Sequence, residues 1–355
     1  MKTIYAKRRD ALRKKMHMVG LDAMLVSHAA NRYYLSGFEL HDPQFNESAG
    51  RLIICKNGKD WLCTDPRYFD MAKRLWDENF ILIYSNAARD IRKLLLSKIK
   101  GRIGIEKDIL SASFYKKLVL GLSLTSSQKL VENLRIIKDS IEIELMKKSC
   151  NLNHRLMEWV YNELHIGRSE VEISWEIEKY FRGHGASELA FNNIVAVGPN
   201  AALPHAIPSS NIIKDNSPVL IDVGCRLDDY CSDQTRTFWV SNADAPAYFT
   251  LTHQLVRTAQ EAAISAIAPG KKCSEIYHIA NNIFKEEGVA KAFTHGLGHG
   301  VGLETHEAPS LSPNCHTILQ PNMIITVEPG LYYPEWGGVR HEHMVLVTEN
   351  GSKIL

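Results

Sequence analysis

Four acidic residues, each at the end of an apolar strand-like run, do most to narrow the folds open to this chain. The runs are Pro218 to Cys225, Thr235 to Val240, Met323 to Glu328 and Met344 to Thr348, and the acids are Asp222, Asp233, Glu328 and Glu342. At a strand end a carboxylate reaches a cleft while the apolar side chains of the strand stay in a core. In the segment from Ile221 to Asp233, a two-residue turn at Leu227-Asp228 predicts a hairpin in which facing residue numbers sum to 455. Asp222 then faces Asp233, with Cβ atoms about 4.5–5.5 Å apart. Carboxylates that close repel. The pair therefore reads as a dyad sharing a proton, as metal ligands, or as two solvated residues of an exposed hairpin. Glu328, in Val327-Glu-Pro-Gly330, and Glu342, in Gly338-Val-Arg-His-Glu342, adjoin two strands joined by a loop with Pro334 and Gly337-Gly338. An antiparallel return there predicts the same side-by-side placement.

The segment His295-Gly-Leu-Gly-His299-Gly-Val-Gly-Leu-Glu-Thr-His306 brings histidines to the same half of the chain. The spacing of His295 and His299 would suit a zincin helix, but glycines at 296, 298, 300 and 302 oppose a helix and the expected Glu beside the first His is missing. The segment is read as extended, with close backbone approach. Together Asp222, Asp233, His299, Glu328 and Glu342 offer four carboxylates and one imidazole, with no thiolate. Four negative charges converging in one cleft need about four positive charges, which two divalent ions roughly 3.5–4 Å apart supply. The expectation is a dinuclear hydrolase site. Its oxygen-rich ligands favour Mn²⁺, with Co²⁺ or Zn²⁺ chemically acceptable.

Composition removes other classes. Lys+Arg 42 against Asp+Glu 40 leaves a formal charge of only +2, no footing for nucleic acid as the main partner. The basic run from Lys7 to Lys15 is interleaved with Ala11, Leu12 and Met16 and reads as the solvated face of an amphipathic helix. There is no signal-peptide h-region and no membrane-length apolar run, so a cytoplasmic protein without a membrane partner is expected. The seven scattered cysteines, without C-x-x-C, read as reduced core thiols.

At 355 residues two domains are expected. The first half alternates short apolar runs, such as Ala23 to Val26 and Ile103 to Ile105, with charged helical stretches, an α/β pattern. The polar run from Ser123 towards Leu130 marks the boundary and divides the chain into 1–128 and 129–355. In the second half Asp139 with Glu142, and Ser169 with Glu172, predict helix starts. Ala247 to Ile267 and Ser274 to Glu287 predict two more helices, between and after which the strands lie.

These motifs, in this order, resemble the pita-bread metallopeptidases, and within them the Xaa-Pro peptidases, aminopeptidase P and prolidase. The resemblance also takes in Lys138-Asp-Ser-Ile-Glu-Ile-Glu144, the segment Val195 to His205, Tyr34-Leu-Ser-Gly-Phe38 and Thr64-Asp-Pro-Arg-Tyr68, and so spans nearly the whole chain. It implies an α/β creatinase-like N-terminal domain ahead of an α+β pita-bread catalytic domain. It further implies that Asp222 binds one metal ion, that His299 and Glu328 bind the other, and that Asp233 and Glu342 bridge the two. His205, His295 and His306 match histidines that contact substrate and stabilise the tetrahedral intermediate, Arg340 matches a supporting arginine, and Glu328 matches the proton shuttle. Proline-containing peptides are the implied substrates, and a homodimer is the implied assembly. One departure is His343, where relatives commonly carry Asp.

Prolidases commonly have an arginine four residues after the equivalent of His306, where it binds the substrate's carboxylate. This chain has Ser310. The expectation is therefore an aminopeptidase P-like enzyme acting on longer peptides, with an Xaa-Pro dipeptidase as the alternative. A non-catalytic pita-bread binding domain, a metal-free creatinase-like enzyme and a methionine aminopeptidase fit less well, because all five ligands and an N-terminal domain are present.

Overall fold

A computed structural model describes residues 3–44, 47–127 and 129–355. The chain forms two compact units, Met1–Arg135 and Ile136–Leu355. The division falls later than the sequence suggests; Gln128, where the predicted boundary lies, is outside the described residues. The polar run taken for a linker contains a strand, Ser123–Ser126, paired parallel with Arg102–Ile105 at the edge of the first unit's sheet. An edge strand with a wet face tolerates serine and threonine, so composition alone made it look like a loop.

The sheet of the first unit runs β4-β3-β2-β1-β5-β6, with β1 Ala23–Val26, β2 Gly50–Cys55, β3 Trp61–Thr64, β4 Ile81–Ile83, β5 Arg102–Ile105 and β6 Ser123–Ser126. The basic run lies on helix Ile4–Met18, which buries Arg8, Leu12 and Met16. Only part of it is a solvated face. Arg8 stacks over Tyr34 with its guanidinium 4.1 Å from the ring centroid, and the guanidinium groups of Arg9 and Arg13 both pair with Asp60. Long cationic stems at helical spacing are amphipathic themselves, and here they bury with their charges matched.

The second unit pairs helices against sheets. Its strands are β7 Glu188–Leu189, β8 Ile194–Val197, β9 Ser217–Val223, β10 Cys225–Leu227, β11 Tyr230–Cys231, β12 Gln234–Val240, β13 Gly298–Gly300, β14 Glu307–Leu311, β15 Ile324–Val327, β16 Gly330–Tyr333, β17 Gly337–Arg340, β18 His343–Val347 and β19 Ser352–Ile354. Helices Ser140–Tyr161 and Glu170–Gly183 each begin with a capping box, Asp139 with Glu142 and Ser169 with Glu172. They bury Leu152, Leu156, Ile173, Ile177 and Phe181 against Val219, Ile221 and Val223 of β9. Helices Ala247–Ala266 and Cys273–Glu286 do the same with Val256, Ala263, Ile276 and Phe284 against Ile325, Val327, Val345 and Val347 of β15 and β18. Side chains alternate along a strand, so the residues between these positions, Asp222 and Thr326 among them, face the other way. These side chains are thus held on the sheet faces turned away from the helices. No described helix is long and apolar enough to cross a membrane, and all seven cysteines are free.

Candidate dinuclear metal site

The first acidic pair comes from the β9-to-β12 segment, with a correction. The turn is at Asp228-Asp229, whose φ values of 49° and 71° are the left-handed pair of a type I′ turn, and not at Leu227-Asp228. Facing residues such as Arg226 and Cys231, or Asp222 and Thr235, therefore sum to 457. Asp222 lies opposite Thr235, so Asp233 is its diagonal neighbour and not its direct partner. Because strand side chains alternate with a period of two, moving the turn by one residue changes the sum by two and keeps both carboxylates on the same face.

For the second pair the register is direct. β15 and β18 pair Val327 with His343, and β16 and β17 pair Gly330 with Arg340. Both ladders have the same sum, which puts Glu328 opposite Glu342 at the point where the strands part. His299 enters from β13, between β14 and β15. A Cβ on Gly298 would lie 2.1 Å from the Thr326 carbonyl oxygen, and one on Gly300 would lie 2.2 Å from that of Ala308. The glycines flanking His299 are there because backbone meets backbone on both sides. A register shift between His299 and Gly300 turns the imidazole towards the acids.

One ligand atom each from Asp233, His299 and Glu342 lies within 4.8 Å of the others. His299 Nε2 is 3.3 Å from Glu328 Oε1 and 3.7 Å from Asp233 Oδ2. Its Nδ1 is 3.0 Å from the Gly300 carbonyl oxygen, which takes that N–H and aims Nε2 into the cluster. Asp222 joins from β9, its Oδ2 accepting from Arg340 Nη2 at 2.5 Å. The charges are poorly matched. Burial, then Glu342 and Asp222, push the Asp233 carboxyl well above the usual carboxylate range, and burial with Glu328 and Asp222 does the same to Glu342. Burial also works against charge on Glu328, but the hydrogen bond and charge of His299, with His295 and Arg340, outweigh it and hold that group down at about 2.

Asp222 Oδ1 and Glu342 Oε1 are buried and, among the described residues, have no hydrogen-bond partner. Buried carboxylate oxygens left without donors are costly, by about 1–3 kcal/mol or more each, unless a cation takes the donor's place. The donor set, all carboxylate oxygen plus one imidazole nitrogen, suits hard or borderline divalent ions. The residues present fit the pair of ions the sequence suggests.

All of the site residues read from the sequence line one cleft of about 890 Å³: His205, Asp222, Asp233, His295, His299, His306, Glu328, Arg340 and Glu342, together with Ser310. Four others escaped the sequence reading. Thr235 donates to Glu342 Oε2 at 2.7 Å, and Thr326 accepts from the His299 backbone N–H while donating to Glu328 Oε1 at 3.2 Å. Tyr332 accepts from Arg340 Nη1 at 2.8 Å and lies 2.7 Å from His295 Nε2, while His295 Nδ1 faces the Gly296 carbonyl at 2.7 Å. Gln260 donates to the carbonyls of Val327 and His341, the residues that precede Glu328 and Glu342. The first three stand two or four residues from a sequence-assigned ligand on a strand, so period two could have found them. Gln260 sits on a helix and gave no such signal.

Arg236, on the reverse side of β12 from Thr235, donates to the Glu342 carbonyl at 2.6 Å and sits 3.3 Å from the His343 ring nitrogens. Burial and Arg236 push the His343 imidazole down to about 3, so His343 stays neutral. The Arg236 contact holds the Glu342 backbone in place.

Two mostly antiparallel sheet-and-helix halves around paired carboxylates and one histidine define a pita-bread metallopeptidase, here behind an α/β N-terminal domain. Residues 8–137 match the Creatinase/Prolidase N-terminal domain and residues 144–349 match Metallopeptidase family M24. The chain belongs to metallopeptidase family M24. It is 34% identical over 338 residues to an Xaa-Pro dipeptidase of Pyrococcus horikoshii, covering 94% of this chain and 92% of the relative. Among solved structures, an Xaa-Pro dipeptidase from Bacillus anthracis superposes with a TM-score of 0.90 at 31% identity, covering 99% of this chain and 97% of the other. An X-Pro aminopeptidase from Thermotoga maritima gives 0.83 at 30%, covering 96% and 97%.

Proposed function

We propose that this protein is a dinuclear metal-dependent Xaa-Pro peptidase that hydrolyses Xaa-Pro dipeptides. The observation that carries the reading is the set of three buried carboxylates and the half-buried Glu328 around His299, two of whose oxygens have no donor among the described residues, at the floor of a cleft also lined by His205, His295 and His306. Relatives named Xaa-Pro dipeptidase match the chain nearly end to end, which supports dipeptides as the substrate class.

In this reading Asp222 would hold one ion, His299 and Glu328 would hold the other, and Asp233 and Glu342 would serve both, with Mn²⁺ the first expectation. When bound, the ions would supply Lewis-acid polarisation of the scissile carbonyl and would lower the pKa of the attacking water. Glu328 takes a proton from that water and delivers it to the proline nitrogen, which leaves as a secondary amine. Desolvation lowers the His306 pKa and favours its neutral imidazole, which donates its N–H to the developing oxyanion, with His205 as a second donor. Arg340 and Tyr332 orient Asp222 and His295. Proline has no N–H, so the cleft must select its ring by shape.

A second reading, an aminopeptidase cutting longer peptides, is favoured by Ser310. It pairs with His299 across β13 and β14 and lines the cleft with a short, uncharged side chain. Steady-state kinetics on Xaa-Pro and Xaa-Pro-Xaa peptides decide between them. For the dipeptidase, kcat/KM on dipeptides is expected to equal or exceed that on tripeptides; a clear preference for tripeptides would transfer the assignment to the second reading. Ser310→Arg should improve dipeptides by about 1.5–3 kcal/mol, mainly in KM, because the substrate carboxylate lies away from the reacting carbonyl.

A further inference from the structure

Glu170 is the first residue of helix Glu170–Gly183 and is fully buried. Among the described residues it pairs with no lysine or arginine, and neutral donors surround it. Its Oε1 accepts from the Val197 backbone N–H at 2.8 Å, from Asn200 Nδ2 at 3.0 Å and from Asn211 Nδ2 at 3.3 Å. Its Oε2 accepts from the Ser209 backbone N–H at 2.9 Å, from Ser209 Oγ at 2.7 Å and from Asn200 Nδ2 at 3.2 Å. The helix backbone joins in, with the Glu170 and Val171 N–H groups donating to the carbonyls of Asn211 and Ser209.

Those donors come from the two ends of one loop. Val197 and Asn200 stand where it leaves β8, and Ser209 and Asn211 stand where it returns. Between them lies Leu203-Pro-His205-Ala-Ile207, which puts His205 on the cleft. Ala201 and Ala206 are buried, but Leu203 and Ile207 are 57% and 84% exposed, so apolar packing holds little of the loop's rim. A buried carboxylate satisfied by several N–H and O–H donors ties them together more strongly than neutral pairs would, and a first-turn position suits its charge.

We infer that Glu170 is the positioning residue that closes the loop of residues 198–211 and thereby sets His205 over the reacting carbonyl. The part concerning His205 rests on the peptidase reading; the part concerning the loop does not. In Glu170→Gln one carboxylate oxygen becomes an NH₂ group facing other donors, so the clamp opens on one side without loss of volume. Hydrogen exchange of the metal-loaded protein should show the amides of 198–211 exchanging at least tenfold faster, with the rest of the helix and the metal content unchanged. Activity on an Xaa-Pro dipeptide should fall about 10- to 100-fold, in kcat more than in KM, and Glu170→Asp should recover part of it.

In a His205→Ala background the same Glu170→Gln change should have little further effect on kcat. Unchanged exchange in the loop, acceleration spread evenly over the unit, or an equal loss of kcat with and without His205 would each overturn the inference. Should Glu170→Gln fail to fold, Asn200→Ala removes a donor to both oxygens from the loop side, and must give the same local pattern in smaller size. A wild-type enzyme inactive on every Xaa-Pro peptide would refute the peptidase reading, while loop exchange would still judge the clamp.

Discussion

Glu342→Gln is expected to remove about a thousandfold or more of the hydrolytic activity and to leave fewer than two ions per chain, with the fold intact. Glu342 is 1% exposed; one oxygen accepts from Thr235 Oγ1, and the other has no donor among the described residues. The amide keeps the shape and one acceptor but carries no charge, and cannot offer an anionic oxygen to each of two cations. Losing about 4 kcal/mol of transition-state stabilisation would account for a fall of that size. Kinetics, metal analysis by mass spectrometry and circular dichroism together check it. Two ions per chain with full activity would refute the bridging role.

The same variant makes a second measurement possible with metal removed. Burial and neighbouring carboxylates raise the Glu342 pKa in the folded state above its unfolded value. The folded chain therefore binds this proton more tightly, and the ionised group costs stability as pH rises from the ordinary carboxylate range through the folded pKa. Metal-free Glu342→Gln should then melt higher than metal-free wild type near neutral pH. The difference should shrink as pH falls and vanish below the ordinary carboxylate range, where wild-type Glu342 is protonated in both states. Equal melting temperatures at neutral pH would mean that the carboxylate carries no such penalty.

His306→Ala is expected to lower kcat by about 10²–10³-fold while two ions remain bound, since an intermediate-stabilising donor acts chiefly on the transition state. Its ring centroid is 4.2 Å from that of His299. The segment that carries it is well anchored: the Cys231 N–H donates to the Gly302 carbonyl, Arg226 to that of Leu303, and Thr305 Oγ1 to that of Ala190. At its foot Lys138 pairs with Glu307 at 3.2 Å, both nearly buried. Truncating the imidazole leaves these contacts in place, so positions nearby should not relax. Single-turnover kinetics with parallel metal analysis distinguish the roles, because loss of metal in step with activity would make His306 a ligand.

Much of the site was legible in the chain because its candidate ligands sit on strands or at their ends, where local periodicity decides the face. Asp222 and Asp233 stay together although the turn was misplaced by one residue, since a shift of the facing sum by two cannot move a side chain to the opposite face. Glu328 and Glu342 were legible for a simpler reason, one continuous antiparallel register. The alternating glycines around His299 announced close backbone approach, though which carbonyls approach is seen only in the fold. Helix starts at Asp139 and Ser169 were marked by local capping chemistry, which needs no tertiary partner.

The sequence by itself determined the family, the acidic residues brought to the strand ends, the helix caps and the α/β character of the first unit, because each follows from spacing along a few neighbouring residues or from motif order. Tertiary structure decided what depends on residues far apart in the chain. The unit boundary after Arg135 was hidden because Ser123–Ser126 is a polar edge strand stabilised by pairing with Arg102–Ile105. Arg8, Arg9 and Arg13 looked solvated because their partners, Tyr34 and Asp60, lie many residues away. Gln260 and Glu170 carried no local signal, since each acts by accepting or donating hydrogen bonds across the sheets to distant segments. Spacing names the groups that can meet; burial and long-range hydrogen bonding settle how each is oriented and charged when they do.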